Sequence, residues 1–306
     1  MKKMRTSPGS RIKSWWASLS ERKRERLRDA AFLSPSVIGV SVFFIVPFFV
    51  IVYYSVINNP VQHEFVFFKN FIALFNNSAF RTAAKNTAVF SLIAVPLAVV
   101  LPFLLAEMLE ARIPLKSQFR TFFLSPMMVP VASVVLIWQV LFSYNGTVND
   151  FLANFGVEKI DWLKSQYAQV VVVILFLWKN LGYNMILFMA ALSNIPKELL
   201  EVADIEGATP WFKFKHITLR YLSPTILFVA ILSLINSFKV FREVFLLTGE
   251  YPVESLYMLQ HFMNNTFKSL DYQKLSAAAV LMAVVMVVII ALLFVFEDKL
   301  GKDVEG

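Results

Sequence analysis

The stretch LSAAAVLMAVVMVVIIALLFVF, residues 275–296, decides the fold class of this chain. It contains no charged side chain, and an apolar block of about 20 residues is long enough to cross the hydrocarbon core of a bilayer as a helix. A helix is favoured there because lipid offers no partners to backbone N–H and C=O groups. The sequence therefore predicts a transmembrane helix, which is followed by the charged tail Glu297–Gly306.

Five other apolar stretches precede this one, so the sequence predicts an all-α integral membrane protein with six transmembrane helices. The chain is 58% hydrophobic and only 16% charged, whereas soluble domains carry about 25% charged residues. Pro96 and Pro102 are expected to bend the second span, because proline interrupts the helical hydrogen-bond ladder. The first five spans are predicted at Phe32–Ile57, Asn86–Ala106, Thr121–Phe142, Tyr167–Leu192 and Tyr221–Leu246.

The Lys and Arg residues predict the orientation of these spans. If the N-terminus is cytoplasmic, the cytoplasmic segments carry 19 of these residues and the outer loops carry 7. Cytoplasmic loops of membrane proteins are enriched in basic residues, so both termini are expected in the cytoplasm. The net charge of +8 follows this loop pattern and does not indicate a nucleic-acid partner.

The order of charged and apolar segments predicts how the chain is organised. Within the basic segment 1–29, Ser10–Asp29 is expected either to lie on the membrane surface as an amphipathic helix or to be a disordered tail. Residues 30–82 hold the first span and an outer loop. Residues 83–297 form the core of spans two to six, and residues 298–306 form a cytoplasmic tail.

The longest internal cytoplasmic connection, residues 193–219, is expected to fold as two short helices joined at a glycine. Pro196 suits the first turn of a helix, and Gly207 suits its C-terminal stop. Thr209 and Pro210 then supply the N-cap and first position of a second helix. Ala203 and Gly207 leave little side chain at the surface, which favours close approach by a partner protein. The alternative is that this elbow only rests on lipid headgroups.

The residue types exclude several kinds of chemistry within this chain. The sequence has no cysteine, and it has no Gly-x4-Gly-Lys-Ser/Thr loop for a nucleotide. Its three histidines show no metal-ligand spacing, so no catalytic residue, metal site or cofactor site is predicted. An ion-coupled secondary carrier for a polar solute is the alternative function. Such carriers tend to place carboxylates at the bilayer midplane, whereas Glu107 and Glu243 lie near predicted span ends.

The elbow resembles the EAA loop of permeases from binding-protein-dependent ABC importers, and other segments resemble the carbohydrate branch of that family. The elbow departs from the family pattern at Val202, Glu206 and Arg220. The elbow residues that carry the resemblance are Glu201-Val202-Ala203, with valine in place of the central alanine, Gly207-Ala208, Phe214, Ile217, Leu219 and Pro224. The segments that resemble the carbohydrate branch are Asn86-Thr87, Trp138 with Asn145–Asn149, Trp178–Tyr183, Ala191-Leu192, Ile195-Pro196 and Leu247–Pro252.

This resemblance implies a type I ABC importer permease fold and one half of a heterodimeric pore in the bacterial cytoplasmic membrane. It implies a second permease chain, an extracytoplasmic sugar-binding protein, and a cytoplasmic ATPase dimer that binds ATP and Mg. The imported solute would be a sugar or oligosaccharide. The elbow would be the coupling helix that contacts the ATPase, through Glu201, Ala203, Asp204, Gly207 and Ala208.

Charged side chains within the spans are candidates for a substrate path, because a charge in lipid is costly and normally faces protein or water. Lys179, Lys239 and Arg242 can donate hydrogen bonds to hydroxyls or to an acidic sugar. The alternative is that they reach the outer interface or pair internally with Glu243. Aromatic faces and amides also suit a sugar, which adds the candidates Trp138, Gln139, Tyr183, Asn184 and Asn236.

Overall fold

The computed structural model describes residues 20–110 and 115–301, and the described chain consists of helices and short connections. The helices are α1 (Glu21–Ser55), α2 (Lys69–Asn76), α3 (Ser78–Glu110), α4 (Lys116–Met128), α5 (Val131–Leu141), α6 (Thr147–Ala153), α7 (Ala168–Ser193), α8 (Lys197–Ile205), α9 (210–221), α10 (Ser223–Phe238), α11 (Phe241–Thr248), α12 (Leu259–Lys268) and α13 (Tyr272–Gly301).

Six apolar segments of the described chain can cross a membrane. Five are long enough as single spans, namely α1, α3, α7, α10 with α11, and α13. The sixth forms only if α4 and α5 are taken together, because these helices meet at a bend of 100°. The prediction of an all-α membrane protein with six spans is confirmed, and the orientation of its termini stays a prediction.

The third span is not the continuous helix predicted over Thr121–Phe142. The helix stops at Met128 and restarts at Val131. Val129 is extended, with φ −84° and ψ 132°, because the residue before a proline is disfavoured in the α region and Pro130 follows it. The result is a broken span whose two halves point in different directions.

The first span also differs from its prediction. Its helix begins at Glu21, so residues 21–29 continue the same helix as the first apolar segment, and their place at the membrane surface stays a prediction. A short π-helical segment, Ser41–Ile45, lies in its middle. Residues 1–19, which hold the rest of the predicted surface segment, lie outside the described residues, as does the end of the C-terminal tail at 302–306.

The centre of the fold is the long packing of α3 along α7, with α10 against both. The buried Asn184 on α7 donates hydrogen bonds to the Ala98 carbonyl on α3, at 2.8 Å, and to the Ser233 hydroxyl on α10, at 3.1 Å. Polar groups in a bilayer need partners within the protein, so this amide ties three helices together. The span α1 lies outside this core and packs on α13.

A glycine sets how closely α4 approaches α7. A Cβ atom added to Gly182 would lie 1.9 Å from the carbonyl oxygen of Phe123. Only a residue without a side chain permits this approach, as is typical of small residues between packed membrane helices. The first half of the broken span is thereby held against the centre of the fold.

Candidate functional site

A polar cavity of about 490 Å³ lies between α7 and the junction of α10 with α11. At this junction α10 ends at Phe238 and α11 begins at Phe241, and the first residues of α11 line the cavity. Met127 of α4 and Gln260 of α12 complete the lining. The polar lining residues are Lys179, Asn180, Tyr183, Asn236, Lys239, Arg242, Glu243 and Gln260.

The charged residues of the cavity fall into two groups. Lys179 donates a hydrogen bond to the carboxylate of Glu243, which is only 7% exposed. This ion pair matches the alternative of an internal Lys–Glu pair. Lys239 and Arg242 are exposed in the cavity, and neither side chain forms an ion pair or hydrogen bond with any residue in the described ranges.

The uncharged polar residues of the cavity form a short amide chain. The Asn236 amide donates to the Asn180 side-chain oxygen at 2.9 Å, and the Asn180 amide donates to the Phe176 carbonyl at 2.8 Å. The side-chain oxygen of Asn236 and the Tyr183 hydroxyl have no hydrogen-bond partner within 20–110 and 115–301. These two groups are therefore available to a hydroxylated solute.

Five of the eight predicted path residues line this cavity, and three do not. Trp138 is buried and stacks on Phe142, with ring centroids 5.0 Å apart. Gln139 donates to the Leu246 and Leu247 carbonyls at 3.2 Å and thereby holds α5 against α11. Asn184 serves the three-helix contact described above. These three residues take part in packing and interhelical hydrogen bonds, and their role in the substrate path stays a prediction.

Three polar lining residues were not among the predicted path residues. Asn180 follows Lys179 directly, and Glu243 follows Arg242 directly, so adjacency to a charged candidate was the available signal. Gln260 lies on α12, outside the spans, and nothing in its neighbourhood of the sequence indicated a role.

The elbow folds as its sequence predicts. Gly207 has φ +75°, a left-handed conformation that glycine adopts without strain, at the end of α8. The Thr209 hydroxyl accepts a hydrogen bond from the Phe212 N–H at 3.2 Å, which caps the first turn of α9. Lys213 and Asp204 form an ion pair at 2.6 Å that links the two arms.

The elbow presents apolar and acidic side chains away from the helical core. Ile205 is 86% exposed and Trp211 is 69% exposed, and Glu201 and Val202 are exposed as well. Ala203 is buried, and its backbone carbonyl accepts a hydrogen bond from the Ala208 N–H at 2.8 Å. Its small side chain packs inside the elbow, and its role at the coupling contact stays a prediction.

An aromatic series connects the elbow to the spans. The ring of Phe214 in α9 lies 5.9 Å from that of Phe103 in α3, and Phe103 lies 5.7 Å from Phe188 in α7. Packed aromatic rings hold their neighbours in place because protein interiors are close-packed. A displacement of the elbow would therefore shift the side chains that pack on it in α3 and, through them, those in α7.

The comparisons with known proteins agree with this architecture. The chain is 30% identical over 279 residues to the lactose transport system permease protein LacF of Rhizobium radiobacter. This alignment covers 89% of this chain and 94% of that protein. It is 32% identical to the sulfoquinovosyl glycerol transport system permease protein SmoG of Agrobacterium fabrum, with coverage of 84% and 86%.

The fold also matches a solved structure, that of a bacterial ABC transporter involved in the import of the acidic polysaccharide alginate. The TM-score is 0.78 at 23% identity, and the match covers 91% of this chain and 99% of that one. A family model described as the binding-protein-dependent transport system inner membrane component matches residues 98–306. The chain therefore belongs to the family of inner membrane components of binding-protein-dependent transport systems.

Proposed function

We propose that this chain is the transmembrane permease subunit of an ATP-driven importer that carries a sugar or oligosaccharide across the bacterial cytoplasmic membrane. The observation that carries the proposal is the cavity between α7 and the α10–α11 junction, which is lined by eight polar side chains within a largely apolar helical bundle. Polar residues inside a membrane protein are costly and mark solute pathways. Relatives named for the transport of lactose, arabinooligosaccharides and sulfoquinovosyl glycerol support a sugar as the solute.

The chemistry of the cavity suits a hydroxylated solute. The free oxygen of Asn236 can accept from a hydroxyl, and the Tyr183 hydroxyl can donate or accept. Lys239 and Arg242 add charged donors to the lining of the same cavity. A solute that enters leaves water behind, so each of its hydroxyls needs such a partner to avoid the cost of an unsatisfied polar group.

The energy source in this proposal is a separate cytoplasmic ATPase dimer, which would bind ATP and Mg. The exposed elbow surface around Ile205 and Trp211 is its docking site, because apolar side chains outside the spans gain from being covered. Glu201 and Asp204 would add charge contacts, while Gly207 and Ala208 would allow close approach. A second permease chain would close the cavity, and an extracytoplasmic binding protein would deliver the solute.

Transport would then follow from a two-state equilibrium that ATP binding shifts. Closure of the ATPase would move the elbow, and the contacts of Phe214 with Phe103 and of Phe103 with Phe188 would pass this movement to α3 and α7. Since α7 carries Lys179, Asn180 and Tyr183, the cavity would change its access from one side to the other.

An ion-coupled carrier is the competing function, and the energy source of uptake separates the two. The transporter assembly purified with this chain would be reconstituted into liposomes and supplied with its binding protein and radiolabelled oligosaccharides. We expect uptake with MgATP inside the liposomes, none with a non-hydrolysable analogue, and no effect of proton or sodium ionophores. Uptake driven by an imposed ion gradient without ATP would overturn the proposal.

A further inference from the structure

We propose that the imported saccharide carries an anionic group, a carboxylate or a phosphate, which binds to Lys239 and Arg242. This inference rests on the function proposed above and specifies the substrate class of the same cavity. It starts from the charge balance of the lining. Within the described part of the chain, three basic side chains and one carboxylate line the cavity, so positive charges exceed negative ones by two.

The single carboxylate is not available to neutralise this excess. Glu243 is buried and already accepts from Lys179 on the neighbouring helix. Lys239 and Arg242, which lie beside it, have no acidic partner in the described part of the chain. The cavity therefore contains one satisfied ion pair and two cations without a counter-charge.

Both cations lie within a membrane span, so their lack of an acidic partner indicates which kind of solute the cavity binds. Both lie in the second half of the fifth span, Ser223–Thr248. A basic side chain within a span is unfavourable unless it reaches water or an opposite charge. Both line the cavity, so a solute there can supply the counter-charge. An acidic solute would gain a charge-assisted hydrogen bond, which is about twice as strong as a neutral one.

The geometry of the two side chains also favours an oxyanion. Arg242 offers a planar guanidinium whose paired N–H groups match a carboxylate or a phosphate. Lys239 lies three residues earlier, at the break between α10 and α11, and adds a mobile ammonium at the same cavity. The amide of Asn236 and the hydroxyl of Tyr183 remain for the sugar hydroxyls. The cavity thus offers cations to the charged group of the solute and neutral hydrogen-bonding groups to its hydroxyls.

The competing source of negative charge is an acidic residue of a partner permease, which would leave a neutral sugar as the solute. The structure offers a direct way to separate the two, because the chain contains no cysteine. Gln260 lines the cavity and makes no side-chain hydrogen bond within the described residues, so Gln260→Cys introduces a single reporter thiol. Its modification by a sulfonate-bearing and by a trimethylammonium-bearing methanethiosulfonate reagent would be compared in the assembled transporter.

We expect the anionic reagent to react faster than the cationic one, once both rates are divided by those for a free thiol. Adding Lys239→Gln and Arg242→Gln to the Gln260→Cys chain should remove this preference. An absence of preference in the Gln260→Cys chain would show that a partner already neutralises the cations, and it would overturn the inference.

The substrate itself is tested by uptake into cells that express the chain with its transporter partners. The cells would receive an equimolar mixture of maltotriose, galactotriose, trigalacturonate, trimannuronate and glucose 6-phosphate, with depletion followed by mass spectrometry. We expect an acidic saccharide to be imported. Lys239→Gln and Arg242→Gln should each reduce its import by about tenfold or more, because a hydrogen bond to a charged group is lost. The exposed Lys69→Gln variant should match wild type.

The possible failures are distinguishable. Import of neutral saccharides alone would overturn the anionic substrate and leave sugar import standing. An equal loss of neutral and acidic import in the two cavity variants would assign Lys239 and Arg242 to structure, and it would also overturn the inference. Import of no saccharide would contradict both this inference and the proposed function.

Discussion

Lys179 on α7 and Glu243 on α11 form an ion pair beside the cavity, although 64 residues separate them in the sequence. The pair joins the central helix of the fold to the segment that follows the break in the fifth span. Among the described residues, Glu243 is the only carboxylate that lines the cavity, and the ion pair holds it in a fixed contact. A carboxylate held in this way is poorly suited to bind a coupling ion, which favours the ATP-driven mechanism over the ion-coupled one.

The two members of this pair should differ in their importance for stability. Glu243 is buried and Lys179 is about one-third exposed, so Lys179→Gln leaves a buried charge while Glu243→Gln leaves a cation that can reach water. We expect Lys179→Gln to lower the free energy of unfolding by about 2 kcal/mol and Glu243→Gln to lower it by less. Thermal unfolding of the purified chain in mild detergent would measure both.

The double variant Lys179→Gln/Glu243→Gln provides the control for that experiment. Residues in contact show a coupling energy, so the double variant should be more stable than Lys179→Gln alone. Strictly additive losses would show that the pair contributes nothing to stability.

The approach of α4 to α7 makes a second prediction. Gly182→Ala would place a methyl group 1.9 Å from the Phe123 carbonyl oxygen, and a backbone atom cannot move aside cheaply. We expect a loss of about 3 kcal/mol, at the upper end of the range for overpacking. The matched variant is Gly39→Ala on α1, where no atom lies within 4 Å of the added Cβ.

Gly39→Ala should unfold at the same temperature as wild type or slightly higher, since alanine favours a helix over glycine. The comparison would be made by fluorescence-detected size exclusion after heating. If Gly182→Ala and Gly39→Ala unfolded at the same temperature, the close packing of α4 on α7 would be wrong.

The buried histidine of α12 predicts how stability depends on pH. His261 lies against the ring of Phe241 at 4.7 Å, and its Nε2 atom is buried without a hydrogen-bond partner in the described residues. Burial lowers the pKa of His261 from 6.5 to about 4. The unfolded chain therefore binds more protons between these two values, so stability is full above pH 6.5 and falls as the pH drops towards 4.

The variant His261→Gln removes this titration. Apparent melting temperatures at several pH values between 7 and 4.5 should fall less steeply for His261→Gln than for wild type. Because the slope is compared and not the absolute stability, a variant that is less stable throughout remains informative. Parallel slopes for the two proteins would rule out His261 as a source of the pH dependence.

Local signals explain what the sequence predicts well. The elbow depends on a cap at Thr209, a proline at position 210 and a stop at Gly207, and each of these acts within one or two turns of chain. The prediction of the spans depends on length and hydrophobicity alone, and neither property changes with the way the helices pack. These features could therefore be derived without knowledge of neighbouring helices.

The remaining features depend on neighbours. Asn184 and Asn180 are both amides on α7, but the first points into the three-helix core and the second towards the cavity. Hydrophobicity and residue type do not distinguish the two faces, because the contacts of α3 and α10 decide which face is covered. The break at Val129 had a local signal in Pro130, yet the absence of charge through residues 121–149 suggested a continuous span.

The central claim is that the elbow couples this chain to an ATPase, and a pull-down with a matched pair of glycine variants tests it most directly. Gly207 and Gly156 have nearly equal φ values, +75° and +74°, and open space around the position of a Cβ. Gly207→Arg and Gly156→Arg therefore impose similar strain within the chain, but only the first lies on the elbow.

The tagged chain would be purified in mild detergent, and its partners would be identified by mass spectrometry. We predict that wild type and Gly156→Arg recover both an ATPase and a second permease, whereas Gly207→Arg retains the permease and loses the ATPase. Recovery of the ATPase with Gly207→Arg at the wild-type level, or a wild-type chain that purifies without any ATPase, would contradict the account.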